Sequence, residues 1–252
     1  MADLQGRTVV ITGAGRGLGA ALAVSLAEAG ANLVLCGRNQ AALETVADGI
    51  AATTGLRPVC ISVDLADNDG VRQAVEAIAR SHEHIDLLVN NGAMWLEARD
   101  EPHTAEEVLG VINSAITGTF LFTQGLLPLL RRSATPDIVT IGSVSGLPNG
   151  LLDGVSVPFY AAKRGQTAVA EGLRQMLAGT PVRSIILHPP DLDDIQPADP
   201  AWAEAPARAK SARATNRDVV EAVLFAVTRP RNISLSIVLD ADDGGVFPAQ
   251  LP

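Results

Sequence analysis

Short runs of β-branched and aliphatic residues alternate with longer stretches of helical periodicity along the chain. The runs predict strands over 8–12, 32–36, 58–63, 87–90, 138–142, 182–187 and 233–239. The longer stretches predict helices over 17–29, 40–52, 69–81, 105–132 with a break near Ser114, 158–178 and 217–228. Strands that read as apolar runs, without strict alternation, belong to a sheet covered on both faces, and regular strand–helix alternation makes that sheet parallel. The expected architecture is α/β: a doubly wound, Rossmann-type parallel sheet of about seven strands, binding ligands beyond the carboxyl ends of its strands.

One segment departs from the rhythm. Residues 189–216, PPDLDDIQPADPAWAEAPARAKSARATN, are rich in Pro, Ala and Asp and follow the sixth predicted strand. A connection this long at the ligand end of a sheet reads as a flap over the substrate, here with a short alanine-rich helix.

The bulk numbers narrow the picture without changing it. At 252 residues and 47% apolar composition, the chain can bury one large core, so residues 1–252 are read as a single domain. A formal charge of −9 repels phosphate backbones and anionic membranes, which argues against nucleic-acid and membrane partners. Cys36 and Cys60 fit neither a zinc spacing nor a disulfide framework and read as small core residues in a reducing compartment. The amino terminus carries no leader pattern and the chain no apolar run of membrane-spanning length, so a cytoplasmic protein is expected.

Candidate chemistry begins at TGAGRGLG, between the first strand and first helix. Gly13 permits a tight turn, Gly17 lets backbone N–H groups approach a diphosphate at the helix amino terminus, and Gly19 lets the helix lie close on the sheet. With Leu18 between them, these residues form a dinucleotide turn. At the end of the second strand, where an NAD site carries a carboxylate for the ribose 2′-hydroxyl, the chain has Gly37–Arg38, with Arg16 in the glycine loop as a second cation. Two guanidinium groups beside one ribose favour a 2′-phosphate, hence NADP(H) over NAD.

The loop TGAGRGLG, with VDLAD, NNGA and IVTIGSVSG further on, resembles the short-chain dehydrogenase/reductase family over nearly the whole chain. The resemblance implies that Asp64 and Leu65 lie beside the adenine, that Asn90 braces the sheet centre, and that the backbone from Gly92 lines the nicotinamide side. It places the active-site serine at Ser143. Pro189 opens the segment that meets the cofactor, Pro190 replaces a glycine, and Asp194 falls where the family has a threonine. Asp240 and the residues after it, DADDGG, resemble the family's Asp-Gly-Gly; a calcium loop there lacks the remaining ligands.

In this family a tyrosine exchanges a proton with the substrate oxygen while a lysine one helical turn away lowers its pKa and holds the nicotinamide ribose. Lys163 matches the lysine, but four residues earlier stands Phe159, while Tyr160, the only tyrosine in the chain, lies beside it. On a regular helix, Phe159 and Lys163 are within about 40° of one face and Tyr160 is about 60° away in the opposite sense. Either the helix start is shifted and Ser143, Tyr160 and Lys163 form the catalytic set, or position 159 has lost its hydroxyl. The family's asparagine similarly falls at Ala115, and Asn113 would replace it only across a kink.

Lesser candidates are His188 as a substitute acid, Asp153 as a substrate contact or turn carboxylate, and Trp95 and Trp202 as pocket walls. His82 and His84, two residues apart, do not share a helical face and make no metal site. The resulting expectation is an NADP(H)-dependent oxidoreductase acting on a small-molecule ketone or secondary alcohol of moderately large apolar character. The alternative is an NADP(H)-binding protein without redox turnover, a sensor, scaffold, lyase or isomerase. Apolar helical faces around 126–130 and 168–177 also suggest a homo-oligomer.

Overall fold

The computed structural model of the chain describes residues 3–152 and 154–246. Seven strands form one parallel sheet: β1 Thr8–Thr12, β2 Asn32–Gly37, β3 Val59–Ser62, β4 Leu87–Asn90, β5 Asp137–Ile141, β6 Arg183–His188 and, at one edge, β9 Ser236–Val238. Their spatial order is β3-β2-β1-β4-β5-β6-β9. The order reverses between β1 and β4, and this switch point opens a crevice at the carboxyl end of the sheet.

Each strand feeds both faces because successive side chains point opposite ways. Val9 and Ile11 pack under α1 (Gly17–Glu28) and α8 (Asn216–Val227), against Leu22, Leu26, Val219 and Val223. Val10 points the other way, into a cluster with Val71 and Ile78 of α3 (Asn68–Ser81) and Phe122 and Leu126 of α5 (Thr119–Leu130). Burial on both faces is why the strands read as apolar runs. The helices are punctuated locally: Asn39 caps α2 (Gln40–Thr54), which ends at Gly55 in the left-handed region. Thr104 and Glu107 close a reciprocal capping box at the start of α4 (Ala105–Ile112).

The long stretch predicted as a helix over 105–132 does break near Ser114. A wide π turn over Asn113–Gly118 separates α4 from α5, with the Thr119 hydroxyl donating to the Ser114 carbonyl five residues back. Gly118 at the end of that turn lies against the Leu65 carbonyl, only 1.8 Å from where a Cβ would stand. Any side chain there would push α5 off the sheet. The final strand is shorter than the predicted 233–239.

At the opposite end of the sheet from the crevice, Asp137 is fully buried. Arg183 clasps it with two bonds of 2.9 and 3.0 Å, Arg231 donates at 2.9 Å, and Arg7 approaches to 3.5 Å. This cluster ties β1, β5 and β6 to the segment before β9.

Residues 189–216 form a folded excursion. Its two ends pair as short parallel strands, β7 (Leu192–Asp193) and β8 (Ala214–Thr215), and it carries one short helix, α7 (Pro200–Glu204). Among the described residues, no helix is long and apolar enough to cross a membrane.

Candidate active site

The turn from β1 into α1 is built for glycine. Gly13 and Gly17 have φ of 67° and 56°, and a Cβ on Gly19 would stand 2.0 Å from the Gly13 carbonyl oxygen. Among the described residues, no side chain caps the amino terminus of α1, which leaves its first N–H groups without a side-chain partner at the carboxyl end of β1. Two residues missed by the sequence reading hold this turn from behind. The Asn91 amide donates to the carbonyls of Thr12 and Gly13 (3.1 and 3.3 Å), and the Thr12 hydroxyl accepts from the backbone N–H of Gly92 at 2.8 Å. Their only signal was the polar pair adjoining the glycines in TGAG and NNGA.

Arg16 in the glycine loop and Arg38 just past the end of β2 are exposed, and neither is in an ion pair among the described residues. The Asp64 carboxylate accepts from the Ala66 N–H at 2.9 Å, and Leu65 is buried beneath Gly92. Asn90 is buried under the site, its amide donating to Thr123 of α5 at 2.9 Å. It joins β4 to α5 and does not line the cleft.

The cleft over the switch point has a volume of about 770 Å³. Leu18, Asn91, Pro189 and Pro190 form its cofactor side; Ser143, Lys163, Phe159 and Trp95 form its far wall. Ser143 follows β5 and accepts from the Ser145 N–H at 3.1 Å. Lys163 is buried on α6 (Val157–Met176), its ammonium donating to the Ile141 carbonyl (3.3 Å) and the Gln166 side chain (3.0 Å). Burial lowers its pKa from 10.5 to about 8.

Tyr160 is not brought to this cleft. Helix α6 starts regularly: the Ser156 hydroxyl accepts from the Phe159 N–H, and the Tyr160 N–H donates to the Ser156 carbonyl at 2.9 Å. With no shift of the helix start, Phe159 and Lys163 share the face toward the cleft. The Tyr160 phenol instead donates to the Gly150 carbonyl at 3.1 Å, beneath the Arg164 guanidinium. Phe159 is buried, 4.6 Å from the Trp95 ring in an edge-on arrangement, and the Lys163 ammonium stands 5.8 Å from its ring centre. Ala115 joins the same apolar cluster, with Leu96, Val111 and Ala162. Asn113 lies on the π turn outside the cleft lining.

The lesser candidates separate too. His188 is buried behind Ser143, with Nδ1 3.1 Å from the Ser143 carbonyl, and desolvation lowers its pKa, which keeps the ring neutral at pH 7. It lies outside the cleft lining. Trp95 is a wall of the cleft, whereas Trp202 packs on the core beside α8. Asp153 lies outside the described residues. Among the described residues no group of three metal-ligating side chains occurs.

The pattern of short chain dehydrogenases matches residues 7–196. The chain belongs to the short chain dehydrogenase family. Among relatives of the chain are uncharacterised oxidoreductases of Staphylococcus saprophyticus, 29% identical over 238 residues, and of Staphylococcus aureus, 27% identical over 236. Each alignment covers 94% of this chain and 98% or 97% of the relative. A short chain dehydrogenase from Burkholderia cenocepacia, solved in complex with NADP, is 29% identical and superposes with a TM-score of 0.80, covering 96% of this chain and 98% of its own. L-Sorbose reductase from Gluconobacter frateurii, solved with NADPH and L-sorbose, shares the fold at a TM-score of 0.82 and 20% identity, covering 98% of this chain and 99% of its own. The cleft of this chain contains Ser143 and Lys163, with the Phe159 ring lining it beside the lysine.

Proposed function

We propose that this protein is an NADP(H)-dependent oxidoreductase acting on a ketone, or the corresponding secondary alcohol, of moderately large apolar character. The observation that carries the reading is the joint geometry of the switch point: a turn with left-handed backbone at Gly13 and Gly17 and no room for a Cβ at Gly19, opening onto a cleft that contains both Ser143 and Lys163. The two exposed guanidinium groups of Arg16 and Arg38, in no ion pair among the described residues, support the phosphorylated dinucleotide, as does the NADP in the Burkholderia cenocepacia structure.

When bound, the nicotinamide supplies or receives the hydride. The chain's own residues then manage the oxygen. Ser143 donates a hydrogen bond to the substrate oxygen as negative charge develops on it. Lys163, with its pKa near 8, is the acid facing the cleft, and in this reading its proton reaches the oxygen through water standing where a phenol would otherwise be. Trp95, Met94 and Val155 hold the apolar body of the substrate. Incubation with NADPH and a panel of apolar ketones is the test: slow, substrate-dependent loss of reduced nicotinamide absorbance supports the reading, and none with any ketone rejects it.

A second reading, NADP(H) binding without redox turnover, is favoured by one observation. Phe159 and Ala115 form a shared apolar cluster where the family resemblance implies a phenol and an amide. Tight NADPH binding with no consumption would select it.

A further inference from the structure

The flap carries a carboxylate onto the amino terminus of α1. The Asp194 oxygens lie 3.8 and 3.9 Å from where a Cβ on Gly17 would stand, at the turn into α1, whose first N–H groups have no side-chain cap among the described residues. Asp194 is held there by amides. Asn216, buried at the start of α8, donates to Oδ1 at 2.6 Å, and Gln196 donates both to Asp194 and, at 3.2 Å, to the Gly17 carbonyl. Asn216 also donates to the Ile195 carbonyl at 3.3 Å, fixing the backbone that carries the carboxylate. The neighbouring flap carboxylates are neutralised: Asp193 pairs with Arg208, and Asp191 with Arg213 at 2.9 Å. Asp194 is in no ion pair among the described residues.

An anion at the amino terminus of a helix is favourable there, and that preference is what a dinucleotide diphosphate relies on. A resident carboxylate beside the same positive end, held by Asn216 and Gln196 and bonded to none of the α1 N–H groups, lies in that field and repels a second anion placed beside it. We infer that Asp194 is a built-in competitor of the cofactor diphosphate: the flap latches onto Gly17 in the absence of cofactor, and dinucleotide binding requires that latch to release. The inference rests on the dinucleotide site proposed above and concerns the residue that sets its affinity. Because a ligand shifts an equilibrium only by its differential affinity for the two states, the latch lowers apparent cofactor affinity by the fraction of molecules in which it is closed.

The test is an NADPH titration, followed by nicotinamide fluorescence, of the wild-type protein, Asp194→Asn and Asp194→Thr. Asparagine keeps an acceptor at the same reach for Asn216 and removes the charge; threonine removes the charge and leaves only a hydroxyl one atom closer to the backbone. Glu204→Gln removes one charge from an exposed position on the same flap and serves as control. Both Asp194 variants are expected to bind NADPH about tenfold more tightly at low salt, with the gain shrinking at high salt, and Glu204→Gln to leave the affinity unchanged. An unchanged or weakened affinity in both Asp194 variants, with wild-type binding intact, overturns the inference and leaves the dinucleotide site standing. An equal gain in Glu204→Gln overturns it as well, by reducing the effect to net charge. Failure of every protein to bind NADPH overturns both the inference and the site.

Discussion

Replacing Phe159 with tyrosine adds one oxygen to a ring already held edge-on by Trp95, on the helical face it shares with Lys163. A phenol beside a buried ammonium donates far more readily than solvent, so Phe159→Tyr is expected to raise NADPH-dependent ketone reduction roughly 10²-fold or more. Tyr160→Phe, by contrast, removes only the bond to the Gly150 carbonyl; the expected cost is about 1 kcal/mol in stability, read by denaturant titration, with activity nearly unchanged. If Lys163 supplies the proton, reduction by the wild-type protein requires the ammonium form. Its folded pKa, lowered to about 8, then makes the rate full below that pH and falling above it, measured as initial rate across pH 6 to 10 in constant ionic strength. At this scale the sequence spoke clearly about residue types and poorly about direction. The glycines were legible from their place between the first strand and first helix, whereas Ser143 and Lys163 came only from the family resemblance. Whether Phe159 or Tyr160 faces the cleft turned on where α6 begins, and Ser156, the residue that caps it, was not part of the reading.

At the scale of elements, the first turn bears the closest backbone approach in the site. Gly19→Ala would place a methyl carbon 2.0 Å from the Gly13 carbonyl, and backbone cannot yield as a flexible side chain does. The variant is expected to lose NADPH binding and to melt at a lower temperature, seen together in a thermal-shift titration that no longer responds to NADPH. Strand and helix succession followed from the hydrophobic pattern because each sheet strand between β1 and β6 is an apolar run and most helices start at a recognisable cap. Two features were harder. The π turn over Asn113–Gly118 depends on the close approach of Gly118 to Leu65, a contact far apart in sequence. The last strand, Ser236–Val238, is shorter than its apolar run because it pairs on one side only, at the sheet edge.

For the whole molecule, the sheet is joined at its two ends by different means. The end away from the cleft depends on Asp137 with Arg183, Arg231 and Arg7. Asp137→Ala would leave Arg183 buried without its partner, and a loss of about 3–5 kcal/mol in unfolding free energy is expected, with no change in the residues that line the cleft. Urea unfolding with circular dichroism reads the loss directly. The other end is open, polar along the glycine turn and apolar beyond Ser143, and there, in the function proposed, a phosphorylated dinucleotide occupies the switch point with its ribose phosphate near Arg16 and Arg38. Parallel titrations of the protein with NADPH and NADH, by isothermal calorimetry at one salt concentration, measure this most directly. Saturable one-to-one binding of NADPH, at least tenfold tighter than NADH, is the expected result; binding of neither nucleotide, or a preference for NADH, would contradict it.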